Sequence, residues 1–105
     1  MGISERQLGL IQESAKLLIQ DLRLTQEEAV MLISASLKKE LVRRGVTMEA
    51  LNMSAKSDRT SFIRSVVHHV QEKIEETPHW KSKNLTITIE KFYKILHSSW
   101  MSDSG

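Results

Sequence analysis

The feature that most constrains this chain is how rarely it offers a place to stop a helix. One proline and four glycines serve all 105 residues, and these two residue types end or bend helices most reliably. A turn-rich sheet needs many more of both. The expected fold is therefore all-α: a compact bundle of about five helices, four longer and one short, with no sheet. It should occupy residues 1–100 as a single helical domain, with a flexible tail at 101–105. A chain of this length can bury one real core. Aromatic residues make up only 5% of it, so Leu, Ile, Val, Ala and Met must fill that core.

Local signals divide the chain. In "ISERQLGLIQESAKLLIQDLRL", Ser4 is placed to cap a helix with Gln7 as reciprocal partner, and Ile3 and Leu8 have staple spacing. Leu8, Ile11, Ala15, Leu18 and Leu22 recur every three or four residues, and Leu10, Leu17 and Ile19 widen that face. The seam is too short for a coiled coil and fits packing in a bundle. Thr25 and Glu28 form a second capping box. Ala29, Leu32, Ile33, Ser36, Leu37 and Leu41 then mark a buried face, and Val30 and Met31 make the first half of this helix apolar nearly all round. That half is expected at the centre of the domain.

The helix should end at "LVRRGV". Gly45 can take the left-handed conformation, Leu41 and Val46 stand at the apolar contact of such a stop, and Arg43 and Arg44 suit the negative end of the helix dipole. Thr47 caps a short helix, "MEALNM", and "SAKS" turns a corner. Ser57 or Asp58 then starts a long helix with Phe62, Ile63, Val66, Val67, Val70 and Ile74 inward, ended by Thr77-Pro78. "HWKSKN" reads as a loop. Leu85, Ile87 and Ile89 alternate like a strand but have no second strand to pair with. The helical alternative is preferred, with Thr88 as cap, Ile87 and Phe92 as staple, and Ile89, Phe92, Tyr93, Leu96 and Trp100 on one face.

Chemistry is harder to find. The chain contains no cysteine, so it offers neither a disulfide nor a thiolate ligand. No nucleophile elbow and no glycine-rich phosphate loop appears, and the acid pairs Glu27/Glu28 and Glu75/Glu76 are adjacent, pointing to different sides of a helix. No enzymatic activity, catalytic residue or cofactor is expected. No metal site is expected either, because His68 and His69 are neighbours and cannot easily chelate one ion from one helix. The longest apolar runs fall far short of a membrane span, so no membrane partner is expected. The N-terminus lacks a basic region followed by an apolar run, so no secretion signal is expected and the location should be intracellular, cytoplasmic or nuclear.

Two functional readings follow. The first is a small protein–protein interaction module, an adaptor or regulator working through a helix face or groove, with a homo-oligomer also possible. Surplus apolar residues on the first two helices and five methionines support it. Trp80, beside His79 and Lys81, is its candidate contact tip, although an indole covering the end of the bundle is the favoured explanation of that tryptophan. The alternative is a DNA-binding regulator with a helix-turn-helix-like unit at residues 47–67. Lys56, Arg59 and Arg64 would meet phosphates or bases, and Lys38, Lys39, Arg43 and Arg44 would add backbone contacts. Net charge is only +2, with −2 on residues 1–37 and +4 on the remainder. The turn lacks glycine, Asp58 would approach phosphate, and the reading helix would run on into Glu72, Glu75 and Glu76. Whether the basic residues share one face decides between the two readings.

Overall fold

A computed structural model of the chain describes residues 5–80 and 84–101. The Ser4 cap and its Ile3 staple, Lys81, and residues 102–105 lie outside that description. Helix α1 spans Glu5–Leu22, α2 Gln26–Arg44, α3 Met48–Asn52, α4 Lys56–Glu76 and α5 Leu85–Met101, with a 3₁₀ turn at Pro78–Trp80 before α5. No strand occurs among the described residues, so the all-α bundle of four longer helices and one short one is the fold. Helix α1 packs on α2 and α5, and α4 packs on α2 and α5, which closes the four long helices into a ring. The short α3 rests on α4, as does the 3₁₀ turn. No helix among the described residues is long and apolar enough to cross a membrane.

Local chemistry explains most boundaries. At the start of α2 the Thr25 amide donates to Glu28 Oε1 at 2.9 Å and the Glu28 amide donates to Thr25 Oγ1 at 3.1 Å. At its end Gly45 has φ +67°, and the amides of Gly45 and Val46 donate to the carbonyls of Val42 and Leu41. Thr47 caps α3 by accepting from the Ala50 amide at 3.1 Å. The core face of α4 is the expected one, with Phe62, Ile63, Val66, Val67, Val70 and Ile74 all buried. It meets Leu18 and Leu22 of α1, Ile33 of α2, and Phe92, Leu96 and Trp100 of α5 in one apolar cluster.

Several boundaries differ from expectation. Helix α4 opens at Lys56, one residue before Ser57 and two before Asp58, with Ala55 at the cap and no side-chain cap bond. Helix α1 stops without a glycine: Arg23 takes φ +60°, and its amide donates to the Ile19 carbonyl at 3.1 Å. Helix α5 begins at Leu85, so Thr88 is an interior residue and not a cap. Its buried hydroxyl donates to Asp21 Oδ2 at 2.9 Å, tying α5 to α1. Met101 still belongs to α5.

The centre of the domain is also narrower than the apolar residues of α1 and α2 suggest. Leu8, Val30 and Met31 are exposed, Met31 by 64%. A helix in a four-membered ring presents only one stripe inward. On α2 that stripe is Ala29, Leu32, Ile33, Ser36, Leu37 and Glu40, with Leu41 only partly buried beside it. Two of those residues are polar, and the last is an acid.

Candidate functional site

Glu40 is where the helical register of α2 drives a charge inside. It falls three residues after Leu37 and four after Ser36, so it stays on the buried stripe, and its side chain has no exposure at all. An ion removed from water needs several compensating partners, and Glu40 has them. Arg43 donates from Nε at 2.9 Å to Oε1 and from Nη2 to Oε2. Arg44 donates from Nε to Oε2, and His69 of α4 lies with Nε2 2.9 Å from Oε1. Burial opposes ionisation of this carboxyl, but the bonds from Arg43, Arg44 and His69 outweigh it and bring its pKa from 4.5 to about 2. The same contact holds the Arg43 guanidinium above its ordinary value.

The cluster is tied into α4 on two sides. Arg44, mostly buried, also donates from Nη2 to Ser61 Oγ at 2.9 Å and Ser65 Oγ at 3.4 Å, and its guanidinium stands 5.8 Å from the Phe62 ring centroid. An ionised Glu40 can only accept, so the His69 Nε2 that faces it carries a proton and donates. Its Nδ1 is closed to solvent and without a hydrogen-bond partner, with Glu72 Oε1 3.9 Å away. A carboxylate–imidazole pair of this kind orients arginines. Among the described residues no group of three His, Asp or Glu side chains is arranged to hold a metal ion.

His69 separates two concavities between α2 and α4. On one side lies a groove of about 380 Å³ formed by Met31, Leu32, Ala35 and Ser36 of α2, His69 and Lys73 of α4, and Trp80, with Glu28 and Lys39 at its border. Trp80 is buried to 9% exposure, so it covers the end of the bundle and at the same time forms a wall of this groove. Its indole N–H has no hydrogen-bond partner. Glu28 is held below the usual carboxylate range, chiefly by the Thr25 amide. On the other side of His69 a cleft of about 320 Å³ is lined by Glu40, Arg43, Arg64, Ser65, His68 and His69.

The residues singled out in the sequence divide between these features. His79 is exposed, stacks edge-on to Trp80 at 5.6 Å between ring centroids, and lies 3.9 Å from Glu28 Oε2. Lys39 borders the apolar groove, whereas Arg43 and Arg64 meet in the cleft. Arg44 is turned inward. Lys38 is exposed on α2, and Lys56 and Arg59 stand in the first turn of α4. Arg59 and Arg64 are five residues apart on one helix, which separates them by about 140° around its axis. Arg59 and Arg64 therefore do not share one face of α4. Glu40, His69, Met31 and Lys73 form much of the site and were not among the expected site residues.

Set against protein-family models, functionally described proteins and solved structures, the chain matches none.

Proposed function

We propose that this chain is a non-catalytic protein-interaction module that receives a short segment of a partner protein in the groove between α2, α4 and Trp80. The carrying observation is an apolar groove, with Met31 exposed by 64% along its wall, whose lining includes two lysines, Lys39 and Lys73, and one acid, Glu28, already bonded to the Thr25 amide. Neither Lys39 nor Lys73 makes a side-chain ion pair among the described residues. The complementary occupant is a segment with one apolar anchor side chain flanked by Asp or Glu. The anchor would fill the Met31–Trp80 groove and the acids would meet the lysines. The dispersal of the basic residues favours this reading over a helix-turn-helix at residues 47–67, which needs its cations along one face.

Selection of short random peptides displayed on phage tests it. Peptides enriched on the wild-type chain should carry an apolar residue next to acids. They should lose binding to Met31→Glu, an exposed position where the substitution leaves the core untouched, and bind Lys39→Ala/Lys73→Ala more weakly. Enrichment of peptides that bind Met31→Glu equally well, or no enrichment, would refute the groove assignment. A concentration-dependent dimer abolished by Met31→Glu would instead make a second copy the occupant.

A further inference from the structure

The cleft on the far side of His69 has a different chemistry, and its interpretation does not rest on the groove. Every polar group around it is basic or a hydrogen-bond donor except Glu40, and Glu40 is already saturated. Its two oxygens take bonds from Arg43, Arg44 and His69. A guanidinium has five N–H groups, and Arg43 directs only Nε and one Nη2 hydrogen at Glu40, so three remain. Because the carboxylate that grips it is wholly buried, the Arg43 plane is held in place although its side chain is 59% exposed.

Arg64 faces the same cleft and has no ion pair among the described residues. Ser65 Oγ accepts weakly from Arg44, which leaves its O–H to donate. His68 Nε2 lies 3.3 Å from Glu72 Oε1, so that carboxylate also has a partner. Three guanidiniums against two carboxylates leave one positive charge uncompensated, before His68 is counted. The geometry points to a binding site for a single phosphomonoester group, with Arg43 and Arg64 as its principal donors and Glu40 as the residue that positions Arg43.

A monoester dianion suits this site better than the diester backbone of a nucleic acid. Two forked guanidiniums converging on one cleft match one compact oxyanion with several acceptor oxygens. A track of phosphates needs a row of cations, and Lys38, Lys39, Lys56 and Arg59 lie outside the cleft.

Titration of the ¹⁵N-labelled full chain with inorganic phosphate and with O-phosphoserine, at constant ionic strength, tests the site. Sodium chloride and a short DNA duplex serve as comparison arms. Both phosphates should give saturable shifts of the Ser65 and His68 amides and the Arg43 and Arg64 side-chain N–H groups. Tighter binding of O-phosphoserine than of inorganic phosphate would identify an esterified ligand, and the reverse a free phosphate; either supports the site. Arg64→Ala should weaken binding by about tenfold or more, while Lys38→Ala leaves it unchanged. Arg64 is exposed, so its truncation does not endanger the fold. Shifts no larger than those with chloride, or equal affinity in Arg64→Ala, would overturn the proposal. Tighter binding of duplex DNA than of O-phosphoserine would overturn the monoester assignment.

Discussion

Replacing Glu40 with glutamine isolates the energy of the buried cluster, because glutamine mimics the shape of a protonated glutamate. Folded, the Glu40 carboxyl titrates at about 2, against 4.5 for an unperturbed one. Each unit of such a difference corresponds to about 1.4 kcal/mol, so the ionised form contributes about 3 kcal/mol at neutral pH. The range for removing one partner of a buried ion pair is about 3–5 kcal/mol. The 59% exposure of Arg43 puts Glu40→Gln at its lower edge, since water can solvate that cation once it is released.

The sign of the pH dependence follows from the direction of the shift. A carboxyl whose folded pKa is depressed stabilises the protein fully above its unfolded pKa. The contribution is lost as pH falls through the interval between 4.5 and about 2. Wild-type and Glu40→Gln chains should therefore differ by about 3 kcal/mol at pH 7 and by roughly 1 kcal/mol at pH 3. Urea unfolding followed by helical circular dichroism reads both values, and at pH 7 the midpoint should drop by roughly 1–3 M. A difference well under 1 kcal/mol at pH 7 would refute the claim that these bonds outweigh burial. A difference that persists unchanged at pH 3 would show that packing, not charge, is responsible.

Three smaller perturbations test the backbone and one inter-helix bond, all by thermal or urea unfolding. Arg23→Gly relieves a left-handed residue that has a side chain, φ +60°, and should raise stability by about 0.5–1 kcal/mol; no gain would mean that the Arg23 side chain contributes as much as its conformation costs. Gly45→Ala puts a Cβ at φ +67° where no atom lies within 4 Å. It should cost about 1 kcal/mol through the backbone alone, and a neutral result would contradict the strain argument. Thr88→Val keeps the volume but removes the donor to Asp21 across α1 and α5. A loss of about 1–2 kcal/mol is expected, and one that disappears in an Asp21→Ala background would confirm the pairing.

What could be read from the residues was set by interactions that close within one helical turn. The Thr25–Glu28 box and the Gly45 stop each involve residues no more than five apart, so their partners stand side by side in the sequence. The inward face of α4 was legible for a related reason: six apolar residues at helical spacing leave one orientation. Thr88 shows where this fails. A threonine ahead of an acid and an apolar run has the look of a cap, but its bond goes to Asp21, 67 residues away, and no local pattern encodes that distance. Met31 and Val30 fail differently. Apolar residues are allowed on a surface, so their type could not tell a wide core face from an exposed one, which for Met31 is also a groove wall.

Glu40 is the most instructive case, because a signal for it existed. In "LKKELVRR" it resembles any solvated charge, yet the stripe through Ala29, Leu32, Ile33, Ser36 and Leu37 passes through position 40 as naturally as through Leu41. Leu41 is the apolar choice, and the helix buries the acid instead. Its partner His69 lies 29 residues away and supplies no local hint. Arg43 and Arg44 had a sufficient local explanation in the helix dipole, which hid their second role. Stability alone does not call for this arrangement, since apolar residues of similar volume often serve a buried position at least as well as an ion pair. What an apolar residue at position 40 cannot do is hold the plane of Arg43, draw Arg44 inward, and accept a bond from His69 Nε2. Those three consequences divide the basic stretch between core and cleft, and they leave His69 as the wall between an apolar groove and a cationic one.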